Sequence, residues 1–180
     1  SGYLQKNFFK RVYDIHVVMD KNYLDAQISL IHEAIKWREN KYKENFLLII
    51  TTDHGRDELT GKNHGGQSDR QRNTWIISNK KLNDYSHQYE PGIVDIMPTL
   101  AKHLRTNIID SIAREIDGIP LLGKVSVIDP KLKVYQNKAD LTWKYLDKSG
   151  SVNILLSMTN NKKEGGVDKY VKIASVPVTQ

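Results

Sequence analysis

The feature that most constrains the fold is a continuous apolar run of strand length that ends just before an Asp-His-Gly sequence. The run covers residues 46–51, and Asp53, His54 and Gly55 follow it closely. A strand that is apolar at successive positions suits a sheet covered on both faces, whereas a strand with one solvated face alternates. The run therefore predicts a buried strand of a mostly parallel sheet in an α/β protein.

Helical periodicity occurs on both sides of this strand. It predicts helices over residues 7–20, over a segment that Asp25 caps and that ends near residue 39, and over residues 93–104. In the last of these the regular helix begins near Met97, because Pro98 is tolerated only near a first turn. The apolar face predicted for the second helix consists of Ile28, Ile31, Ala34 and Ile35.

Further segments complete a two-part organisation. Residues 74–78 predict a second buried strand, residues 108–116 one or two helical turns, and residues 117–120 a closing turn. After residue 122 the chain changes to short β-rich segments separated by turns, with Trp143 as a core anchor. The predicted domains are thus an α/β part over residues 1–122 and a small all-β, sandwich-like module over residues 123–180. The predicted strands of the module are residues 125–128, 132–135, 141–145, 152–156 and 170–173.

Composition narrows the function classes. The formal net charge is +6, but the 27 Lys and Arg residues are spread along the whole chain. This distribution favours a solvated basic surface over a specific nucleic-acid site. The absence of Cys excludes disulfides, thiolate metal ligands and a Cys nucleophile.

The start of the chain predicts a processed or excised piece of a longer protein. Ser1 and Gly2 stand where an initiator Met would be, and no signal-peptide pattern follows them. No apolar stretch approaches the length of a membrane span, so we expect no transmembrane segment.

Three side chains after the predicted strand have the chemistry of metal ligands. Asp53 and His54 lie just beyond its carboxyl end, and His64 follows ten residues later, before Gly65 and Gly66. Carboxylate and neutral imidazole groups on loops at this end of an α/β sheet are typical of a zinc or manganese site. Each residue alone is ordinary, whereas their combination predicts a metal site.

The same stretch resembles the alkaline phosphatase superfamily, and most closely its type I phosphodiesterase and nucleotide pyrophosphatase branch. The resemblance is carried by residues 51–56, Gly61, residues 64–66 and Ser68, with further likeness at 23–28, 34–36, 93–100 and 117–120. It covers roughly residues 3–122 and implies part of that superfamily's mostly parallel sheet with flanking helices. For residues 124–180 the strand pattern resembles a trimmed fibronectin type III-like module, of the kind appended to exported bacterial enzymes.

The resemblance implies two divalent metal ions in the complete enzyme, most readily zinc, with manganese as the alternative. Asp53 and His54 would hold the metal that also binds the nucleophile's oxygen, and His64 would hold the other. The nucleophilic Thr or Ser, an early Asp and an Asp-His pair for the second metal are not identified in this sequence. We therefore assign no catalytic residue, and we expect weak metal binding and no activity from this chain alone.

The expected function is the C-terminal part of a two-metal phosphodiesterase or nucleotide pyrophosphatase. Its substrates would be small phosphate esters. The protein would be exported to the periplasm or cell surface of a bacterium, and the chain would contact the N-terminal part or another subunit. A sulfatase, a phosphomutase or phosphomonoesterase of the same superfamily, and a non-catalytic binding module are the alternatives. Gln67 and Ser68, which continue the His64 segment, favour the phosphodiesterase branch over the sulfatases.

Overall fold

The computed structural model of the protein describes residues 21–63 and 65–180 and has a mixed α/β fold. The helix predicted over residues 7–20 lies outside the described residues. The chain divides into two compact units, residues 1–81 and residues 82–180. The predicted division at residue 122 stays a prediction. The first unit contains α1 (Lys21–Tyr42), β1 (Ile49–Thr51), α2 (Asp69–Arg72) and β2 (Ile76–Ser78).

The second unit contains the remaining helices and two β ladders. Its elements are α3 (Asp84–Gln88), a 3₁₀ turn (Ile93–Asp95), α4 (Ile96–Leu104), α5 (Asp110–Ala113), β3 (Val127–Tyr135), β4 (Lys138–Tyr145), β5 (Ser151–Leu156), a 3₁₀ turn (Asn161–Glu164) and β6 (Val171–Pro177). Within the described ranges, no helix combines the length and apolar character needed to cross a membrane.

Helix α1 is longer than the sequence predicted. It begins at Lys21, so Asp25 lies inside the helix and the predicted cap is wrong. The helix ends because Lys43 adopts left-handed backbone, with φ of 59°, and donates its N–H to the Glu39 carbonyl at 3.1 Å. The Glu39 carboxylate accepts the N–H of Phe46 at 3.1 Å, a bond that lowers the pKa of Glu39. The end of α1 is thereby tied to the segment that leads into β1.

The half-buried apolar face of α1 is narrower than the predicted one. Ile28 and Ile35 are half-buried, in one row with His32 and Glu39, whereas Ile31 and Ala34 are exposed. The row follows the i, i+4, i+7, i+11 spacing of a single helix face. The four apolar residues of the prediction spread over a wider arc, and only the two that share this row are half-buried.

The two apolar runs of the first unit form a two-stranded sheet, but it is antiparallel. Ile50 pairs with Ile77, and Thr51 pairs with Ile76. The expected parallel direction is therefore wrong for these strands, and the other sheets described are also antiparallel. An apolar run reports burial but not direction, which depends on the connection. The strands are also shorter than predicted. The side chain of Asn79 extends the ladder by accepting from Leu48 N–H at 2.7 Å.

A buried carboxylate organises the helical part of the second unit. Asp95 is 2% exposed. Its Oδ1 accepts the N–H of Ile119 at 2.6 Å, and its Oδ2 accepts the N–H of Gly92 at 2.9 Å and the hydroxyl of Tyr85 at 3.0 Å. One side chain thus joins α3, the start of the 93–104 helical segment and the turn at residues 117–120.

Thr99 makes a second connection between the same segments. Its hydroxyl donates to the Asp95 carbonyl at 2.6 Å and accepts the N–H of the fully buried Leu121 at 2.8 Å. The α-helix starts at Ile96, one residue before the predicted start, after the short 3₁₀ turn. Pro98 lies in its first turn, where the missing N–H costs no helical hydrogen bond.

Ionisation of Tyr85 should lower the stability of the second unit at alkaline pH. Burial, and then the neighbouring Asp95 carboxylate, raise the pKa of Tyr85 from 10.0 to about 12. Between pH 10 and 12 the unfolded chain releases this proton while the folded chain keeps it, so stability falls as pH rises. We expect Tyr85 to remove about 2 kcal/mol of unfolding free energy over this range, measured by urea unfolding at stepped pH.

The comparison that isolates this effect uses Tyr85→Phe, which cannot ionise. The wild type should lose more stability than the variant between pH 10 and 12, so the difference between them should shrink. An equal loss of unfolding free energy in the two proteins would contradict the prediction.

The β module contains two antiparallel hairpins within the described residues, β3 with β4 and β5 with β6. The predicted strands 125–128 and 132–135 are one strand, β3, because the Asp129-Pro130 pair forms a bulge and not a turn. Asp129 takes the positive φ of 53° that such a bulge uses. Trp143 is half-buried and donates its indole N–H to the Val178 carbonyl at 2.7 Å, which ties β4 to the end of β6.

Candidate functional site

The candidate site begins with two side chains just past the end of β1. Asp53 is largely exposed, and the side chain of His54 is about two-thirds buried. Asp53 Oδ1 accepts the backbone N–H of His54 at 2.9 Å, which fixes the carboxylate. Asp53 Oδ2 lies 3.3 Å from His54 Nε2. The other ring nitrogen, Nδ1, lies 2.7 Å from the carbonyl oxygen of Gly55.

This arrangement fits the requirements of a metal-binding pair. An Nδ1–H that donates to the Gly55 carbonyl leaves a lone pair on Nε2, and a backbone carbonyl is a common partner of metal-ligating histidines. Metal–N and metal–O bonds of roughly 2 Å at a tetrahedral zinc place two ligand atoms about 3.3 Å apart. The separation of Asp53 Oδ2 and His54 Nε2 matches this value. The same separation also suits an ion pair when the imidazole is protonated.

His64, the third predicted ligand, lies outside the described residues. Among residues 21–63 and 65–180, no group of three or more Asp, Glu, His or Cys side chains could hold a metal ion. The prediction of His64 as a ligand therefore stays a prediction, while Asp53 and His54 are close enough to share one ion.

Two glycines connect the segments of both histidines to α2. Gly55, which follows His54, donates its N–H to the Gln71 carbonyl at 2.8 Å. Gly66 is two residues after His64. The side chain of Gln71 occupies the space that a side chain at position 66 would need, because its Cδ lies 2.7 Å from where a Cβ would be. Gly55 and Gly66 thus both contact the same residue, Gln71. The sequence analysis noted the glycines but not Gln71.

The loop between these segments is closed by Asp57. Its carboxylate accepts five hydrogen bonds, from the N–H groups of Leu59, Thr60, Lys62 and Asn63 and from the Thr60 hydroxyl. These bonds hold the pKa of Asp57 far below its usual range, with the Thr60 backbone N–H as the largest cause. The carboxylate therefore stays ionised at all pH values at which the protein would be used.

Sequence reasoning did not identify Asp57 as a functional candidate. An Asp followed within a few residues by Thr and Gly is a usual signal for a turn in which the side chain binds the backbone, and this signal could have found it.

The two arginines of α2 have local partners. Arg70 Nη1 donates to the Glu58 carbonyl at 3.4 Å, and Arg72 Nη2 lies 2.7 Å from Asp69 Oδ1. The Arg72 pair is exposed, so it adds little stability.

Replacing Gly55 with alanine should damage this region. The added Cβ would overlap the backbone carbonyl of Arg70 and lie 3.0 Å from the Asn73 carbonyl oxygen. Neither oxygen belongs to a flexible side chain, so the Gly55–Gln71 hydrogen bond has to break. We expect a loss of about 2 kcal/mol in unfolding free energy, measured by urea unfolding, and faster exchange of the residue 55 amide proton.

Gly65→Ala is the control for this substitution. Gly65 has φ of 86° and open space around its missing side chain, so alanine there introduces backbone strain without a clash. It should cost about 1 kcal/mol and leave exchange at residue 55 unchanged. Equal effects of the two substitutions would show that the clash at Gly55 is relieved at little cost.

A separate groove of about 280 Å³ lies in the β module. It is lined mainly by apolar side chains, and Lys169 is the charged member of its lining. Acid–base or metal chemistry needs paired titratable groups, which this lining does not provide. The lining residues of the groove are Leu156, Met158, Thr159, Asn161, Val167, Lys169, Val171 and Ile173.

Comparison with known proteins gives no further guide to the site. No protein-family model, curated protein or solved structure matches the chain at a significant level. Asp53, His54 and the geometry around them are therefore the observations that bear on function.

Proposed function

We propose that the chain is the C-terminal part of a two-metal phosphoric ester hydrolase, of the phosphodiesterase and nucleotide pyrophosphatase type in the alkaline phosphatase superfamily. The observation that carries the proposal is the Asp53–His54 pair at the end of β1. Its Oδ2 and Nε2 atoms lie 3.3 Å apart, and Nδ1 is held by a backbone carbonyl. In this proposal β1 and β2 are an antiparallel part of a larger, mostly parallel sheet.

The chain would supply half of the ligand set. Asp53 and His54 would hold one divalent ion, and His64 would hold the other. Zinc is favoured, with manganese as the alternative, since carboxylate and imidazole suit both. When bound, such a pair supplies Lewis-acid stabilisation of the attacking and leaving oxygens in phosphoryl transfer. No catalytic residue of this chain is proposed, because the nucleophile and the other ligands are not identified in it.

The contribution of the described residues is orientation. The Gly55 carbonyl would hold the imidazole of His54 in the tautomer whose Nε2 can bind an ion. The bond from His54 N–H to Oδ1 of Asp53 fixes the carboxylate, whose Oδ2 lies 3.3 Å from that Nε2. Preorganised ligands lose less conformational entropy when the ion binds. With half of the ligands, this chain alone should still bind metal weakly and be inactive.

The proposed substrates are small phosphate esters. The experiment compares hydrolysis of bis-p-nitrophenyl phosphate, p-nitrophenyl phosphate and p-nitrocatechol sulfate with zinc, manganese or calcium. It uses this chain and a version extended at the N-terminus. The extended version should prefer the phosphodiester with zinc or manganese, and this chain should be inactive.

Each contrary result points to a different alternative. Preference for the sulfate ester with calcium would favour a sulfatase, and preference for the monoester would favour a phosphomonoesterase or phosphomutase. Turnover by this chain alone, lost in His64→Ala, would show that the site is complete here. Inactivity of the extended version with every metal would favour a non-catalytic binding module.

A further inference from the structure

We propose that the open end of the β5–β6 hairpin binds an extended peptide segment of a partner protein, with apolar residues at its centre and acidic residues on either side. The surface is the groove of about 280 Å³ in the β module, which we call the hairpin groove. This binding is separate from ester hydrolysis and does not depend on the metal site.

The hairpin groove continues an apolar face of β5. The side chains of Val152, Ile154 and Leu156 share this face, because alternate residues of a strand point the same way. Val152 and Ile154 are half-buried. Leu156 and its partner across the ladder, Val171, are 46% and 65% exposed. The apolar face therefore extends beyond its covered part, and contiguous apolar surface of this kind is typical of a binding site.

The loop at the end of this face has a fixed shape. Asp168 is 8% exposed and accepts the Thr159 hydroxyl at 2.6 Å. The same carboxylate accepts two backbone N–H groups of the following 3₁₀ turn, at 2.8 and 3.0 Å. Met158 and Val167 flank these anchored residues in the lining and are largely exposed. A preformed surface loses less conformational entropy on binding than a disordered one does.

The charge around the hairpin groove indicates an acidic partner. Lys169 lines the groove, and Lys162 and Lys163 directly follow the lining residue Asn161. None of these three lysines has an ion-pair partner among the residues that the structure describes. Residues 156–173 contain four lysines and two carboxylates, which leaves a net charge of +2. Carboxylates of a partner would be attracted here, whereas a second copy of the same surface would be repelled.

The concave shape favours a peptide over a membrane surface. Peptides are held when some of their side chains enter a groove, whereas binding to a bilayer requires apolar groups that project into the lipid. Most of the lining side chains remain exposed, so the groove is too open to enclose a small molecule. An interface with an apolar centre and a charged rim is the usual arrangement between two proteins.

The test measures binding of labelled peptides to this chain by fluorescence anisotropy. The probe is Glu-Glu-Leu-Ser-Val-Glu-Glu, and Lys-Lys-Leu-Ser-Val-Lys-Lys is its charge-reversed control. The acidic peptide should bind more tightly than the basic one by about 10-fold or more. Lys169→Glu should weaken its binding by about 10-fold, because an attraction becomes a repulsion. Val171→Ser should weaken it by about 5-fold through lost apolar contact.

Lys148→Glu is the matched control. Lys148 is exposed in the turn before β5, at the opposite end of the hairpin from the groove. The charge reversal is the same, so this variant should bind the acidic peptide as the wild type does. Changes in amide NMR signals on binding should be confined to residues near 156–173. If Val171→Ser fails to fold, which circular dichroism would report, Val167→Ser in the exposed loop provides the same test.

Several results would overturn the inference. Absence of binding, equal affinity for the two peptides, or an equal loss in Lys148→Glu would each contradict recognition of an acidic peptide by the hairpin groove. Binding to phosphatidylglycerol vesicles without binding to the peptide would identify a membrane surface. A dimer in sedimentation that Val171→Ser abolishes would identify a second copy as the occupant. Loss of peptide binding in the N-terminally extended version would show that the rest of the protein covers the groove.

Discussion

Asp95→Ala is expected to lower the unfolding free energy of the unit formed by residues 82–180 by about 3 kcal/mol or more. The substitution removes the acceptor of three hydrogen bonds, from Tyr85, Gly92 and Ile119. Each buried donor that loses its partner costs about 1 to 3 kcal/mol, and partial hydration of the cavity recovers some of this. Urea unfolding followed by far-UV circular dichroism measures the change.

The matched control for this prediction is Asp110→Ala. Asp110 lies in the same unit and loses the same charge, but its carboxylate is exposed and pairs with Arg114 at 3.2 Å. An exposed pair of this kind contributes less than about 1 kcal/mol. Similar losses for the two substitutions would mean that Asp95 matters through its charge alone and not through its buried hydrogen bonds.

His54→Ala should reduce kcat/KM for a phosphodiester by about 100-fold or more in the N-terminally extended version of the protein. The substitution removes Nε2, one of the two proposed ligand atoms that lie 3.3 Å apart, and leaves Asp53 without its neighbour. The effect should decrease as the zinc concentration is raised, because a weakened site can be partly refilled by mass action. Rates measured at several zinc concentrations test both parts.

His87→Ala is the control for this loss of activity. His87 is an exposed residue near the end of α3 and belongs to no candidate site. Its activity and zinc dependence should equal those of the parent protein. If the His54→Ala enzyme is active and its zinc dependence is unchanged, His54 is not a metal ligand and the proposed function is contradicted.

The fold was predictable where local chemistry determines the structure. The apolar runs at residues 46–51 and 74–78 predicted β1 and β2 because burial requires apolar side chains. Their antiparallel direction was not predictable, because it depends on how residues 52–75 fold. The bulge at Asp129 was missed for a related reason. An Asp-Pro pair signals a break in a strand, but pairing with β4 decides whether the chain turns or continues.

The residue types of the candidate site were predictable, but the hydrogen bonds that hold these residues in place were not. Asp53 and His54 could be chosen from their chemistry and their position after a strand. The carbonyl that orients the His54 ring and the closure of the loop by Asp57 depend on backbone geometry that a ligand pattern does not contain. Contacts between residues far apart in the sequence, such as those of Gly55 and Gly66 with Gln71, cannot be predicted from sequence spacing.

The β3–β4 hairpin has a consequence for how the protein behaves in concentrated solution. Leu132, Val134 and Leu141 leave apolar surface exposed on one side of it, which favours aggregation. Lys131 and Lys133 alternate with the first two, and like charges along a strand oppose pairing with a second hairpin. Salt at about 1 M shortens the range of this repulsion to roughly 3 Å. Colloidal stability should therefore decrease with ionic strength even while the fold is intact.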